Sequence, residues 1–329
     1  MVTRCTIVMA ISSISENGAG AVAATAPDLH TMLFVLLLAL LITVLVLLIC
    51  KRKKESKAGA SRKTEPIAEV SAEKEETVPD SYLVGKLHKI GKRTSQQDSF
   101  AVSDENDENL CKERGLIAIV ADGMGGLADG DKISSLVTLS FFRGFHENPA
   151  TDNPGDMLLN MLKNANSEVN LFLKNKTEQC GSTLVTGIVK EGKLSWLTVG
   201  DSHIYLYRGA SLLLLNREHI YESDLDVQVI NGEISAEEAV RDTQKGALTS
   251  YIGMGKLEKV DRSRTPVSLQ KGDRLLFATD GIFGTVKEEQ LAKIMMHPIQ
   301  ESIQLLDEWI CAVDKKNQDN YTAVIIECR

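Results

Sequence analysis

Apolar and polar positions along this chain follow patterns that predict different elements. Runs rich in branched residues predict strands over 115–121, 182–189, 194–199, 204–207, 211–215, 274–279 and 321–327. Gly192 with Lys193, and Gly209 with Ala210, fall between neighbouring runs and read as hairpin turns, which makes much of the sheet antiparallel. Helical spacing is plain in Ile133, Val137, Phe141 and Phe145, and again in Leu158, Met161, Leu162, Ala165, Val169 and Phe172. Two later helices fit 288–296 and 300–313. Antiparallel strands with helical pairs inserted between them predict an α+β layered fold in which helices cover sheets.

A different pattern occupies Thr31 to Cys50, TMLFVLLLALLITVLVLLIC, which carries no charge across about the 20 residues that span a bilayer. It predicts a transmembrane helix, with 1–30 as a short extracytoplasmic segment. Lys51, Arg52, Lys53 and Lys54 follow at once, and the positive-inside rule places that flank and all that follows in the cytoplasm. Lys, Glu, Ala, Ser and Thr then dominate as far as Asp80, with Pro66 and Pro79, so 51–80 reads as a basic flank and flexible linker. From Ser81 to Arg329 the composition is globular without another break, the size of one domain. The expectation is a single-pass membrane protein with its N-terminus outside, its large domain cytoplasmic and the lipid bilayer as a partner.

The formal charge of -8 leaves no basic footprint for a nucleic acid. Cys5, Cys50, Cys111, Cys180, Cys311 and Cys328 lie far apart, with no zinc-type spacing, and read as reduced thiols. His30, His88, His146 and His297 stand alone and receive no role.

The chemistry lies in aspartates at strand ends: Asp98 in RTSQQDSF, Asp122 in VADGMGG, Asp201 in TVGDSH, Asp280 in FATDGIFG and Asp319 in NQDNYTAV. A single Asp-Gly is most often a tight turn. If these strands are neighbours, however, the carboxylates converge, and like charges that converge raise one another's pKa unless a cation neutralises them. Ligands that are all oxygen favour hard ions such as Mg2+ or Mn2+ over Zn2+. On this reading Gly123 lets the main-chain carbonyl beside Asp122 reach a metal, while Gly125 and Gly126 clear side chains from the approach.

The order of GKRTSQQD, VADGMGG, DGDKISS, CGSTLVTGIV, VGDSHIYLYRGASLLLLNREH, LTSYIG, GDRLLFATDGIF and DNYTAVII resembles the bacterial branch of the PP2C-type (PPM) metal-dependent serine/threonine protein phosphatases. That resemblance, over 81–329, implies a four-layer α-β-β-α sandwich of two antiparallel sheets flanked by helices. It implies two Mn2+ or Mg2+ ions bridged by Asp122, with Asp280 and Asp319 completing the first and the Gly123 carbonyl binding the second. Asp98, with Gln97 beside it, would hold waters on the metals, Asp201 would take part in a third, weaker metal site, and Arg93 would grip the substrate phosphate. Hydrolysis would proceed by a metal-bridging water without a covalent intermediate. Where eukaryotic relatives have a proposed His acid, this chain has Met124, so a metal-bound water, or else His203 or His219, would protonate the leaving oxygen. His203 stands where the family usually has Arg, and Gln97 where an acidic residue is commoner. The stretch 221–245 matches a flap beside the site in bacterial members.

The resulting expectation is a phosphatase of phosphoserine and phosphothreonine on proteins at the cytoplasmic membrane face, opposing a serine/threonine kinase and favouring membrane-proximal substrates. The alternatives are a pseudophosphatase that binds phosphoproteins without hydrolysing them, and a phosphatase of an anti-sigma-factor antagonist.

Overall fold

The apolar run before Asp122 is unbroken because both of its faces are covered. The computed structural model describes residue 79 and residues 81–125, 129–176 and 180–329. In it, β3 (Leu116–Met124) turns Ile117, Ile119 and Ala121 into one core and Leu116, Ala118 and Val120 into another. Its sheet runs β10 (Val267–Ser268), β6 (Lys193–Val199), β5 (Leu184–Lys190), β3, β2 (Asp98–Val102), with β4 (Gly181–Ser182) beside β3 and β9 (Asp261–Arg262) beside β6. The facing sheet runs β1 (Tyr82–Lys89), β12 (Tyr321–Cys328), β11 (Arg274–Ala278), β7 (His203–Arg208), β8 (Ser211–Leu214). All of these pairings are antiparallel. Val185, Trp196, Ile204, Phe277, Val324 and Ile326 fill the space between the sheets.

Helices cover both outer faces. On the β3 side, α2 (Gly130–Glu147) buries the expected Ile133, Val137, Phe141 and Phe145, and α3 (Pro154–Leu173) buries Leu158, Met161, Leu162, Ala165 and Val169. Asn153 caps α3 by accepting from the Asp156 amide, with Pro154 in the first turn, where its missing N–H costs nothing. Phe172 leaves the expected stripe: it is 37% exposed, and the Lys176 ammonium lies 4.1 Å from its ring centroid. On the other face α6 (Asp280–Phe283), α7 (Glu288–Ile294) and α8 (Ile299–Val313) close over β7, β11 and β12. The result is the expected α-β-β-α sandwich.

Both hairpins form. Gly209 and Ala210 take positive φ, as a two-residue type I′ turn requires. The other turn sits one residue earlier than expected, on Glu191 and Gly192, and Lys193 already belongs to β6. Residues 221–245 hold α4 (Tyr221–Ile230) and α5 (Ala236–Arg241), the latter closed by a Ser235–Glu238 capping box. A short α1 (Glu108–Glu113) lies between β2 and β3.

The expected single-pass membrane localisation requires correction. Among the described residues no helix is long and apolar enough to cross a membrane. The longest, α2 and α3, are amphipathic, each with a buried stripe and charged or polar positions such as Lys132, Arg143, Asp156 and Lys163 on other faces. The segments expected at 1–30 and 31–50, and all of 51–80 except residue 79, lie outside the described residues.

Candidate active site

Strand pairing brings the aspartates together. In the β2–β3 ladder Asp98 lies opposite Asp122. In the β11–β12 ladder Ala278 lies opposite Ala323, so Asp280, after the end of β11, meets Asp319, just before the start of β12. Asp201 arrives on the turn between β6 and β7. Asp122, Asp201, Asp280 and Asp319 line a cleft of about 440 Å³ together with Arg93, Gln97, Gly123, Met124, Thr183 and Asn320. Asp98 is buried behind them at 4% exposure.

The carboxyls are under electrostatic stress. Burial pushes the Asp98 pKa up to about 7, against the pull of its hydrogen bonds and with help from the Asp280 and Asp319 charges. Burial also raises Asp122 well above the ordinary range, with Asp98, Asp280, Asp201 and Asp319 adding to it. Asp201 rises to about 6 through burial and the nearby Asp280. Asp280 rises through burial and Asp319, partly offset by a hydrogen bond with Asp122. Such a group relaxes by holding protons or by taking a cation.

Neighbours fix these groups in place. Asp98 Oδ2 accepts from Thr279 Oγ1 at 2.9 Å and Thr322 Oγ1 at 2.7 Å, while its Oδ1 is buried without a partner. Thr183 takes up both main-chain groups of Asp122: its amide donates to the Asp122 carbonyl at 2.8 Å, and its Oγ1 accepts from the Asp122 amide at 3.1 Å. Arg93 reaches the cleft from the β1–β2 loop, and its Nη2 lies 2.5 Å from Asp319 Oδ2. Asn320 fastens that loop by donating to the Ile90 and Ser95 carbonyls and accepting from the Gln97 amide. Thr279, Thr322, Thr183 and Asn320 escaped the sequence reading, although Thr279 and Asn320 each adjoin a candidate aspartate.

Gly123 is required by close approach. Its amide donates to the Gln97 carbonyl, and a Cβ there would stand 2.0 Å from the Gly130 carbonyl oxygen. Gly125 lines the cleft as well. Its φ is +125°, and a Cβ would meet Cys180, so glycine there also lets the backbone pack against that neighbour. Gly126 lies outside the described residues.

Neither histidine considered as an acid lines the cleft. His203 is fully engaged: Nε2 bonds Glu218 at 2.6 Å, Nδ1 bonds the Tyr205 hydroxyl at 2.8 Å, and its ring stacks on Phe283 with centroids 3.6 Å apart. His219 accepts at Nδ1 from the Gly200 amide at 3.1 Å, and burial lowers its pKa. It shapes the turn that carries Asp201.

Among the described residues no three His, Cys, Asp or Glu side chains form a ready-made metal cage. Arg93 occupies one oxygen of Asp319. The donor set nonetheless fits a hard divalent cation. It consists wholly of oxygens, and Asp98 Oδ1 and Asp280 Oδ1 are buried without partners.

Comparison with known proteins supplies a family and a fold. The family model described as Protein phosphatase 2C matches residues 84–313. The serine/threonine phosphatase stp of Listeria monocytogenes is 29% identical over 223 residues, covering 66% of this chain and 86% of its own. The serine/threonine protein phosphatase PstP of Mycobacterium tuberculosis is 27% identical over 243 residues, 71% of this chain and 44% of its own. The crystal structure of Mycobacterium tuberculosis PstP/Ppp superposes with a TM-score of 0.62 at 23% identity, covering 76% of this chain and 99% of that one. The catalytic domain of PstP in complex with 2 manganese ions gives 0.59 at 23% identity, covering 75% of this chain and 98% of that one, and both structures support the fold.

Proposed function

The chain belongs to the protein phosphatase 2C family and is a serine/threonine protein phosphatase, and we propose that the acidic cleft is where it hydrolyses phosphoserine and phosphothreonine on proteins. The catalytic domain on this reading is 81–329, with 221–245 as a flap beside the cleft. The observation that carries the proposal is the convergence of Asp122, Asp201, Asp280 and Asp319 on one cleft, backed by the buried, unpartnered oxygens of Asp98 and Asp280.

Asp122, Asp280, Asp319 and the Gly123 carbonyl are the groups that would hold two Mn2+ or Mg2+ ions, with Asp201 available to a third. Ions held there supply Lewis-acid stabilisation of the phosphoryl oxygens and a nucleophile from water at neutral pH. Manganese in a related phosphatase structure supports this choice of cation. Arg93 binds the phosphate: a guanidinium can offer paired donors to two oxygens, and Asp319 already holds it at the cleft wall. Asp98, fixed by its threonines, keeps one buried oxygen free to accept from a water. Among the described residues no cysteine lines the cleft, which supports direct attack by water without a phosphoenzyme. With His203 and His219 committed elsewhere, solvent in the cleft delivers the proton to the leaving serine or threonine oxygen. A serine/threonine kinase that phosphorylates the same proteins is the partner this activity opposes.

The test is phosphate release from phosphothreonine peptides with Mn2+, with EDTA, and with Asp280→Asn. Release that needs metal and falls on the order of 10²–10³-fold in the variant is expected. Folded protein that binds phosphopeptide yet releases nothing above the variant would instead make it a binding protein.

A further inference from the structure

A hollow of about 290 Å³ is lined by the chain neighbours of residues that line the cleft. Gly91 and Lys92 line the hollow while Arg93 lines the cleft, and Gln318 lines the hollow while Asp319 lines the cleft. The base of the hollow includes the buried side chains of Ile310 and Tyr321. Its rim is cationic. Lys92 meets Asp314 at 3.1 Å in a pair 56% and 76% exposed, which holds little energy against a competing carboxylate. Lys315 Nζ donates to the Gly284 carbonyl at 3.2 Å, just past α6, close enough for its charge to act on Asp280. On a chain of net charge -8, this run of cations from Arg93 through Lys92 to Lys315 suits an anionic occupant.

We propose that this hollow is a substrate subsite that takes the residues flanking the phosphorylated serine or threonine and selects an acidic side chain there through Lys92 and Lys315. The proposal rests on the phosphatase reading of the cleft. With the phosphate on Arg93, an extended peptide advances about 3.3 Å per residue. Because Lys92 adjoins Arg93 in the chain, the selected acid falls within about three positions of the phosphoresidue. The methylenes of that side chain pack on the apolar base while its carboxylate bonds the exposed ammonium groups, a contact that desolvates little on either side. A diffuse cationic field would favour an acid at any position, whereas a subsite favours particular positions.

The experiment measures kcat/KM of the full chain with Mn2+ on phosphothreonine peptides that carry a single Glu, Gln or Lys at successive positions on each side. p-Nitrophenyl phosphate reports on the cleft without flanking residues. Glu at one or two adjacent positions is expected to exceed Gln by about fivefold, through KM. The ratio should fall to about one in the Lys92→Ala/Lys315→Ala double variant. Lys315→Glu should invert it, so that Lys becomes favoured at the same position. Because each ratio is internal to one protein, a variant of reduced overall activity still decides the question. Absence of a positional preference in the unaltered chain overturns the subsite, as does a preference that Lys315→Glu leaves unchanged. Hydrolysis of p-nitrophenyl phosphate and of all peptides alike defeats the subsite and leaves the phosphatase intact. Failure to hydrolyse any of them defeats both.

Discussion

The threonine pair on Asp98 decides how that carboxyl is used. Thr279 and Thr322 both donate to Oδ2, so Oδ1 alone is left for a water or a proton. Thr322→Val removes the shorter of these bonds and leaves a buried oxygen under-satisfied, at a cost of about 1–3 kcal/mol. The activity or Mn2+ affinity should also fall by about 10–100-fold, because a residue that orients a group beside the metals is displaced. Urea unfolding and an Mn2+ titration of activity measure the two effects. An unchanged Mn2+ titration in a destabilised variant would mean that the threonine only packs. Thr279 and Thr322 were hidden in the sequence because threonine inside a branched run reads as an ordinary strand former. Asp122, Asp280 and Asp319 were visible because a charge at either end of an apolar run has no packing reason to be there. The contact of Arg93 with Asp319 spans 226 positions, and local pattern carries no sign of it.

Among the elements, α6 bears the most on chemistry while having the least support of its own. It has four residues, begins at Asp280, and its cap residue Thr279 makes no side-chain capping bond. A helix this short does not stand by itself. It is held from outside: Phe283 stacks on His203, and Gln318 Nε2 donates to the Gly281 carbonyl at 2.9 Å while its Oε1 accepts from Thr285. Gln318→Leu should therefore destabilise the fold by about 1–3 kcal/mol through the orphaned carbonyl. It should lower kcat on p-nitrophenyl phosphate more than it raises KM, because Asp280 loses its position. A variant that loses stability but keeps kcat would show that Asp280 is positioned without Gln318. Legibility follows burial at this scale too. β3, β5, β6, β11 and β12 are covered on both faces and read as long apolar runs. β1 sits at a sheet edge with Lys86, His88 and Lys89 exposed, β2 is partly exposed, and β9 and β10 have two residues each, too little for a period to register. α4 and α5 carry no apolar period because Leu225 is their only buried residue.

For the whole molecule, the cleft is a source of instability that cation binding relieves. The carboxyls of Asp98 and Asp201 are raised to about 7 and about 6, chiefly by burial, and Asp122 and Asp280 are raised as well. In the unfolded chain such groups titrate near ~3.9. In metal-free protein the folded state thus holds protons that the unfolded state releases, so this stabilisation is fully present below about pH 4 and is lost as pH rises through 6 and 7. His88 and His219, lowered by burial, act in the opposite sense and cost stability as pH falls below about 6.5. The raised carboxyls are more numerous and share one site, so the Tm in EDTA should rise between about pH 7.5 and about pH 5.5. Saturating Mn2+ should reverse that trend. At a concentration of about 100 Kd it adds about 2.7 kcal/mol, or roughly 5–10 °C, and protons compete with it at the lower pH. Asp280→Asn separates charge repulsion from packing. It removes one of the crowded charges, so its metal-free Tm near about pH 7.5 should exceed that of the unaltered chain while its gain from Mn2+ shrinks. A metal-free Tm that falls steadily on acidification, or an Asp280→Asn variant less stable than its parent in EDTA, would show that the carboxyls are not in mutual repulsion and that the cation is not needed to hold them together.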